Sequence, residues 1–433
     1  MDLNRKIKKQ IGFGALYKAL AVVVSFISVP VLFNFLGKEN YGIWITIASI
    51  LNWFTVMDFG LGLGLRNKLS KSIAAEEIDV AKSMIISTYA IIVAIAIILF
   101  ILLFALTFIL DWNAILNTYF FDSQQFGHLL RLAFIGFCLS FVLQIVHNLY
   151  YAMHDASKVE LLKLSRQALV FLPVLLLKKE ISDYANLVKL VSINSFIPIL
   201  VFIFFTLYFF KKHYYLIPTR ANFSWFYGKS VMKLGGNFFI LRLSSLFLIT
   251  LLPFMITRFL GAEHTADFNV AYKYLGVVQL AFVVICNPYW SAVSEKYIIG
   301  DIVWIKKSLA RLILYSFVGL LFILVLLLAS SYVLPYWIGE TLEMNKESNR
   351  WVALLVGVFL ITEPFLLFLN GMGEVKIQTY YAIFVIVFVV AFDMLLLEYT
   401  SLNFGALIIP PVVFRLVRSI HAAFEIRTLL SEK

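Results

Sequence analysis

Four ionisable residues lie deep inside apolar stretches of this chain, and their types suit phosphate binding and cation movement. Lys18, Asp58, Arg242 and Glu363 each lie at least six residues inside a long apolar run. An ionised side chain at the centre of a bilayer costs about 2.5–3.5 kcal/mol on insertion scales, so each needs a partner, a water-filled cavity or a function. Contact with lipid is the least favourable location for all four.

The two cations could bind an anionic group. Arginine binds phosphate through a planar fork and lysine as a compact charge, so we predict that Lys18 and Arg242 face a cavity. Lys18 lies on a stripe of small and polar residues at helical spacing, namely Gly14, Ala21, Ser25 and Ser28. The alternative is a close-packed helix seam with a snorkelling lysine. Snorkelling would have to cover about 10 Å at 1.5 Å per residue.

The two carboxylates are candidates for coupling transport to an ion gradient. No nucleotide-binding motif is present in the sequence, so uphill transport would draw on an ion gradient. The alternative is structural, with Asp58 paired to Lys18 and Glu363 paired to Arg242. Both interpretations hold if each carboxylate gives way to a substrate phosphate in a different conformational state.

Further polar residues lie in other apolar runs. Arg131 and Lys273 lie near the outer ends of their runs, where we expect snorkelling to the headgroups, with a contribution to a cationic substrate-binding cavity as the alternative. Asp393 is equally near an outer end, and we expect it to be interfacial. A polar face on the fourth run would suit either sugar hydroxyls or a helix seam, and it consists of Ser140, Gln144, His147 and Tyr151.

Metal, cofactor and enzymatic chemistry have little support. The two cysteines, Cys138 and Cys286, lie in apolar runs without a CxxC motif or a histidine neighbour, so we expect small buried hydrophobes and no metal site. No DxD, HExxH, GxSxG or Walker motif appears. We therefore predict no cofactor and no catalytic residues.

The elements that position these residues are transmembrane helices. Of the 433 residues, 62% are hydrophobic and 14% charged, and the mean hydropathy is +0.91, whereas soluble domains are about 45–50% apolar and 25% charged. About 20 apolar residues cross a bilayer as a helix. The predicted spans are 11–36, 41–64, 84–110, 127–152, 160–177, 187–210, 235–260, 268–292, 309–334, 351–371, 377–396 and 403–421.

Charge distribution predicts the orientation. Of the 36 Lys and Arg residues, 25 lie on the side of the termini, including Arg415 and Arg418 among the four after residue 414. By the positive-inside rule both termini are cytoplasmic. The net charge of +11 is then topological and weak evidence for nucleic-acid binding. The apolar run after the basic N-terminus is too long for a cleaved signal peptide, and we expect it to be a first span.

The chain contains an internal repeat. A shift of 224 residues aligns Lys18 with Arg242, and Phe35-Leu36-Gly37-x-Glu39 with Phe259-Leu260-Gly261-x-Glu263. This predicts two pseudo-symmetric six-helix lobes around a central cavity, residues 1–212 and 213–433, with 213–234 as a cytoplasmic linker. Parallel repeats of this kind are used by transporters for alternating access.

The motifs also carry a family resemblance. Phe35-Leu36-Gly37-Lys38-Glu39-Asn40-Tyr41-Gly42-Ile43-Trp44, then Met57-Asp58-Phe59-Gly60-Leu61-Gly62 and Arg66-Asn67-Lys68, resembles the opening of the polysaccharide and O-antigen flippases. Asn370-Gly371-Met372-Gly373-Glu374-Val375-Lys376 resembles a cytoplasmic turn of that family, which belongs to the multidrug/oligosaccharidyl-lipid/polysaccharide (MOP) exporter superfamily.

The resemblance implies a flippase for a polyprenyl-pyrophosphate-linked oligosaccharide, coupled to H⁺ or Na⁺, in the bacterial inner membrane. We expect a monomer in contact with membrane lipid, with no nucleic-acid partner. Two alternatives remain at this point. One is a cation-coupled multidrug antiporter of the same superfamily, and the other is a membrane polysaccharide polymerase or glycosyltransferase, for which the loops are short.

Overall fold

The computed structural model describes residues 3–117, 121–339, 345–372 and 376–431. Within these ranges the side chains of 3–11, 56, 74, 234–238, 240–242, 244, 245, 287, 291, 298, 376–379 and 386 are not described. All regular elements in the described residues are helices, as the long apolar runs predict. The central Gly373, Glu374 and Val375 of the predicted NGxGxxK turn lie outside the described residues.

The first half of the chain contains nine α-helices among its described residues. They are α1 (Leu3–Leu36), α2 (Lys38–Thr55), α3 (Leu61–Ala74), α4 (Ile78–Ile109), α5 (Trp112–Leu116), α6 (Ser123–Leu143), α7 (Val146–Ala152), α8 (Ala156–Leu176) and α9 (Asp183–Lys212).

The second half contains seven described α-helices and one π-helical segment. They are α10 (Trp225–Ser245), the π segment (Leu246–Thr250), α11 (Leu252–Leu260), α12 (Ala262–Ile299), α13 (Ile302–Ile338), α14 (Lys346–Gly371), α15 (Lys376–Tyr399) and α16 (Phe404–Leu429).

Nine helices among the described residues are long and apolar enough to cross a membrane. They coincide with nine of the twelve predicted spans, so the chain is a multi-pass membrane protein. The predicted fifth span forms α8, whose first half carries Lys158, Lys163 and Arg166. The other two predicted spans are not continuous α-helices. The second breaks between α2 and α3, and the seventh is interrupted by the π segment before α11.

The described chain forms two compact units, Met1–Arg242 and Leu243–Lys433, here called the first and second lobes. Residues 213–242 pack with the first lobe, whereas the sequence placed them with the second. The hydroxyl of Ser87 donates to the Ser224 carbonyl at 2.9 Å and accepts the Ser224 N–H at 3.0 Å. A Cβ at Gly64 would collide with the Val231 carbonyl, so α3 and α10 approach closely.

Helix contacts follow the same pattern in both lobes. In the first lobe α1 packs on α8, α4 and α9 pack on α6, and α8 packs on α9. In the second lobe the π segment packs on α15, α13 and α16 pack on α14, and α15 packs on α16. By order along the chain, α1 corresponds to the π segment, α4 to α13, α6 to α14, α8 to α15 and α9 to α16. The two lobes therefore share a pattern of helix packing.

The repeated FLGxE motif forms the same turn in both lobes. Gly37 joins α1 to α2 with φ of +80°, and Gly261 joins α11 to α12 with φ of +105°. Only glycine adopts such φ values at no steric cost, so it is the residue that allows the chain to leave one helix and enter the next. The motif therefore marks an equivalent helix connection.

Side-chain caps begin several helices at the connections. A side-chain oxygen before each helix accepts one of the first free backbone N–H groups, which stabilises that end. The capping residues are Asp122, Ser182, Asp301 and Asn345, with N···O distances of 2.7, 3.3, 3.1 and 2.8 Å. The backbone N–H of Trp304, followed by Lys296, holds the pKa of the Asp301 carboxyl below its ordinary value. These caps begin the four helices four to seven residues before the spans predicted from hydropathy.

Candidate functional site in the second lobe

An ion pair between neighbouring helices is the centre of the candidate site. Glu363 of α14 accepts a hydrogen bond from the guanidinium of Arg415 of α16, with Nη2···Oε2 at 2.6 Å. The Nε of Arg415 donates to the hydroxyl of Thr362 at 2.7 Å. The guanidinium also lies 4.2 Å from the ring centroid of Phe359. Arg415 is thus held by an acid, a hydroxyl and an aromatic face, all from one turn of α14.

This ion pair is largely removed from solvent. The side chains of Arg415 and Glu363 are 16% and 26% exposed. Separating either charge from its partner in such surroundings is costly, because the desolvation penalty is no longer offset. The pair therefore fixes α16 against α14 unless another charge replaces one partner.

A small cavity borders Arg415. It has a volume of about 20 Å³, room for about one water molecule. Its polar lining comes from Arg415, Tyr272 and Gln279, and the hydroxyl of Tyr272 donates to Oε1 of Gln279 at 3.3 Å. α12 supplies Tyr272 and Gln279, so α12, α14, α16 and the π segment meet at this cavity. A guanidinium, a phenol and an amide together offer donors to an anionic or hydroxylated ligand.

Sequence reasoning missed Arg415 because it was counted with the cytoplasmic residues after position 414, although the predicted last span runs to residue 421. The helix α16 continues through Pro410 and Pro411 to Leu429, so Arg415 lies in its middle. The spacing of Pro411 and Arg415, four residues apart, places both on one helix face. This four-residue spacing was the signal in the sequence that Arg415 belongs to the same helix face as Pro411. Both residues line the same cavity.

The structural alternative paired Glu363 with Arg242. In the described residues Glu363 pairs with Arg415, a residue of the same lobe. The side chain of Arg242, like that of Ser245, is not described. The role of Arg242 in phosphate binding stays a prediction.

Lys18 lies on an exposed part of α1. One turn earlier, Gly14 faces α8, where a Cβ would meet the Cα of Ser157 at 3.8 Å. Further along the predicted stripe, Ser28 donates to the carbonyl of Val24 at 2.6 Å. The stripe thus includes a packing seam at Gly14, while Lys18 remains exposed rather than enclosed within its own lobe.

Asp58 lies in the break between α2 and α3, rather than inside a continuous span. Its carboxylate accepts the backbone N–H groups of Gly60 at 3.0 Å and Gly62 at 3.4 Å. Gly60 has a φ of +73°, which turns the chain into α3. A negative charge is favourable at a helix N-terminus because of the free N–H groups there. Asp58 therefore stabilises the start of α3.

Arg131 and Lys273 are half-buried residues of different lobes. Arg131 of α6 is half-buried, with its guanidinium 4.8 Å from the ring centroid of Phe108 on α4. Lys273 is half-buried on α12 in the second lobe. Stacking on an aromatic face stabilises a guanidinium in a partly desolvated position. Contacts within the first lobe therefore account for the position of Arg131.

The predicted polar face of the fourth span is divided by a helix break. α6 ends at Leu143 and α7 begins at Val146. His147 packs edge-on against Phe202, with ring centroids 5.4 Å apart. Tyr151 lies under the guanidinium of Arg66 at 4.6 Å. These residues contact other helices of the first lobe.

Asp393 is buried inside the second lobe. The residue is only 2% exposed, on α15. It lies four residues after Val389, which packs in a cluster with Leu248 of the π segment. Its position on that same helix face accounts for its burial. Among the described residues no group of three or more His, Cys, Asp or Glu side chains could hold a metal ion.

The chain is similar to solved transporter structures along its whole length. An inward-facing multidrug resistance MATE family transporter of the MOP superfamily aligns over 95% of both chains, with a TM-score of 0.76 and 16% identity. A MOP superfamily transporter from Pyrococcus furiosus, described as having reversed polarity in its binding pocket, aligns over 98% of this chain and 96% of its own, with a TM-score of 0.66 and 15% identity. The chain has the fold that these transporter structures share.

Sequence comparison identifies the family. The family model described as "Polysaccharide biosynthesis protein" matches residues 7–293, and the chain belongs to that family. A Salmonella typhi protein named "Putative O-antigen transporter" is 24% identical over 84% of this chain and 82% of its own length. A Yersinia pseudotuberculosis protein named "Putative O-antigen export protein" is 23% identical over 83% and 82%.

Proposed function

We propose that this protein is a flippase that moves a polyprenyl-pyrophosphate-linked oligosaccharide across the bacterial inner membrane by alternating access. The observation that carries the proposal is the match to relatives named for O-antigen transport over more than four-fifths of the chain. The fold of a transporter superfamily agrees with that activity and with a non-enzymatic role. Both termini would be cytoplasmic.

In this proposal the cations bind the pyrophosphate. Lys18 is exposed on its lobe and available to a ligand, and Arg242 is its repeat counterpart. Arg131 and Lys273 would add positive charge. Arg415 joins this set as a proposed contact, because it donates to Glu363 from the wall of a polar cavity. A phosphate competing for Arg415 would release Glu363.

Coupling to H⁺ or Na⁺ is proposed for Glu363 and Asp58. Protonation of Glu363 would remove the charge that holds Arg415, and would therefore loosen the contact between α14 and α16. Asp58 accepts two backbone N–H groups at the start of α3, so its protonation would weaken that cap. Each change alters helix packing within its own lobe, at the start of α3 in the first lobe and between α14 and α16 in the second.

The test uses purified protein in proteoliposomes that contain a polyprenyl-pyrophosphate oligosaccharide. We expect Lys18→Ala and Arg242→Ala each to lower the flipping rate by about tenfold, because a charge-assisted contact is worth about 1.5–3 kcal/mol. Lys307→Ala, an exposed lysine of α13, is the matched control. Flipping by both variants at the parental rate would refute the roles of these cations.

Coupling is tested separately with Asp58→Asn and Glu363→Gln. The flipping rate of the parent protein should rise after a jump in pH or after a jump in sodium concentration, depending on which ion is coupled. A variant of the coupling residue should keep a basal rate and lose that response. Retention of the full response by both variants would contradict the assignment.

A second candidate function is cation-coupled multidrug antiport, which is favoured by the alignment with a multidrug resistance transporter at a TM-score of 0.76. A cationic drug would need an acidic binding site, whereas the described cavity is lined by Arg415. Drug-efflux measurements in a sensitive host separate the two functions. Resistance conferred by the parent, without oligosaccharide flipping, would favour the antiporter.

A further inference from the structure

Residues 213–233, here called the linker, join α9 to the body of α10 and include the first turns of α10. Because α9 is long and apolar enough to cross a membrane, the linker begins at a membrane surface. The two hydrogen bonds between Ser87 and Ser224 hold one side of it on α4. A Cβ at Gly228 would meet the side chain of Ile91 at 2.8 Å, so that side also packs closely on α4. The linker therefore has a fixed side on the first lobe and an open side.

The open side of the linker is rich in aromatic residues. Four large side chains are 49–74% exposed, namely Tyr214, Phe223, Trp225 and Phe226. Exposed apolar patches mark interaction surfaces, and tryptophan and tyrosine concentrate where a protein meets the lipid headgroups. This side of the linker is therefore suited to the headgroup layer of a bilayer.

Basic residues accompany these aromatic side chains. Arg220, Lys229 and Lys233 are exposed, and among the described side chains none of the three forms an ion pair. Trp225, Lys229 and Lys233 recur every four residues in α10, so they lie along one side of that helix. An aromatic and two positive side chains thus share one helix face.

Acidic residues that could neutralise this charge are absent from the surrounding sequence. No Asp or Glu lies between Asp183 and Glu263. At the connection between α12 and α13, by contrast, Lys296 pairs with Asp301 at 3.3 Å. The linker therefore keeps its positive charge for a ligand outside its own stretch of chain.

We propose that the linker binds the headgroups of anionic phospholipids, with its aromatic side chains at the headgroup level and its three basic residues on the phosphates. Each basic residue near an anionic membrane surface strengthens binding about fivefold. Three of them favour an anionic lipid over a zwitterionic one, whereas the aromatic side chains alone would not distinguish the two. Because the linker begins where a membrane-crossing helix ends, lipid headgroups are the anions within its reach.

Headgroup binding would hold the first turns of α10 at the membrane surface. This role is a contact with bilayer lipid and involves no transport step. The inference is therefore independent of the proposed flippase function, and its test requires no oligosaccharide.

The test maps lipid contact by photolabelling of the purified full chain in proteoliposomes of mixed phosphatidylglycerol and phosphatidylcholine. A trace of either lipid, carrying a diazirine near its headgroup, is added and activated by light. Mass spectrometry then measures the labelling of residues 213–233. We expect the phosphatidylglycerol probe to label the linker at least about tenfold more than the phosphatidylcholine probe does.

A variant without the three basic residues separates charge from aromatic contact. It combines Arg220→Gln, Lys229→Gln and Lys233→Gln, and because all three residues are exposed the fold is preserved. The matched control removes the same charge from three exposed residues near the start of α13, by Lys306→Gln, Lys307→Gln and Arg311→Gln. Elution from a sizing column checks that both variants remain folded.

We expect phosphatidylglycerol labelling of the linker to fall about tenfold in the linker variant and to stay within about twofold in the control. Equal labelling of the parent by the two probes would overturn the proposal, as would an unchanged preference in the linker variant. An equal loss in the control would show a response to total surface charge and would also overturn it. No labelling of the linker by either probe would show that it faces water or another macromolecule, which contradicts the proposal.

Discussion

In each lobe a glycine turn joins the first two spans. The helix is interrupted in the second span of the first lobe, but in the first span of the second lobe. In the first lobe α1 is continuous over 34 residues, and the next span breaks at Val56–Asp58. In the second lobe the π segment interrupts the first span, and α12 continues for 38 residues. The repeat therefore preserves the Gly37 and Gly261 turns while allowing the backbone to deviate on either side of them.

The same comparison distinguishes the two carboxylates. Asp58 lies at an interruption and accepts backbone N–H groups, whereas Glu363 lies within a continuous helix and pairs with Arg415. Asp58 therefore has a local role in helix geometry, and Glu363 holds two helices together. A change in charge at Glu363 has the larger consequence for packing between helices.

The largest expected effect follows removal of Arg415. Arg415→Met leaves Glu363 without its partner, and we expect a loss of about 3–5 kcal/mol in the free energy of unfolding. Denaturant titration in detergent micelles measures it.

The control for this change is the double variant Glu363→Leu with Arg415→Met. Replacement of a buried pair by apolar residues is often neutral or stabilising, so we expect recovery of most of the stability. If the Arg415→Met variant is as stable as the parent protein, the ion pair does not hold α16 to α14.

The next effect compares close packing in the two lobes. A Cβ at Gly136 would collide with Ser195 where α6 meets α9, whereas one at Gly276 on α12 meets nothing within 4 Å. We expect Gly136→Ala to cost about 1–3 kcal/mol and Gly276→Ala to be neutral or stabilising. Thermal unfolding of the two variants checks this difference, and equal midpoints would argue against the close contact of α6 and α9.

A smaller loss of stability, equal in the two lobes, is expected at the glycine turn that joins the first two spans of each lobe. Gly37 and Gly261 both have positive φ, and a Cβ at either would meet nothing within 4 Å. Gly37→Ala and Gly261→Ala should each cost about 1–2 kcal/mol, through the backbone alone. Denaturant titration measures both, and unequal losses would mean that the two turns are not equivalent.

The smallest effect concerns the cap at Asp58. Asp58→Ala should cost about 0.5–2 kcal/mol, because the N–H groups of Gly60 and Gly62 lose their acceptor. Asp58→Asn retains an acceptor and should cost less. Hydrogen exchange at the start of α3 is the direct measurement. Unchanged protection in the alanine variant would exclude the capping role.

Hydropathy predicted most of the fold because the cost of exposing polar backbone in lipid selects long apolar helices. It could not predict the break at Asp58, since the flanking residues are apolar enough to extend a span. Gly60 was the available signal, because glycine permits the left-handed turn that begins α3.

The site was less predictable than the spans. Glu363 was identified because a charge inside an apolar run is conspicuous, but its partner lies 52 residues away along the chain. Arg415 was assigned to the cytoplasmic side because positive charge after residue 414 was interpreted as topology. Which charge meets which depends on helix rotation, a property of packing rather than of composition.

The most direct test of the central claim is the rate at which the purified parent moves a polyprenyl-pyrophosphate oligosaccharide across proteoliposomes. A membrane-impermeant glycan-cleaving enzyme reports the fraction accessible from outside over time. We predict that the accessible fraction changes at least about tenfold faster than in protein-free liposomes, and at a rate that responds to a proton or sodium gradient. A rate equal to that of protein-free liposomes would contradict the proposal.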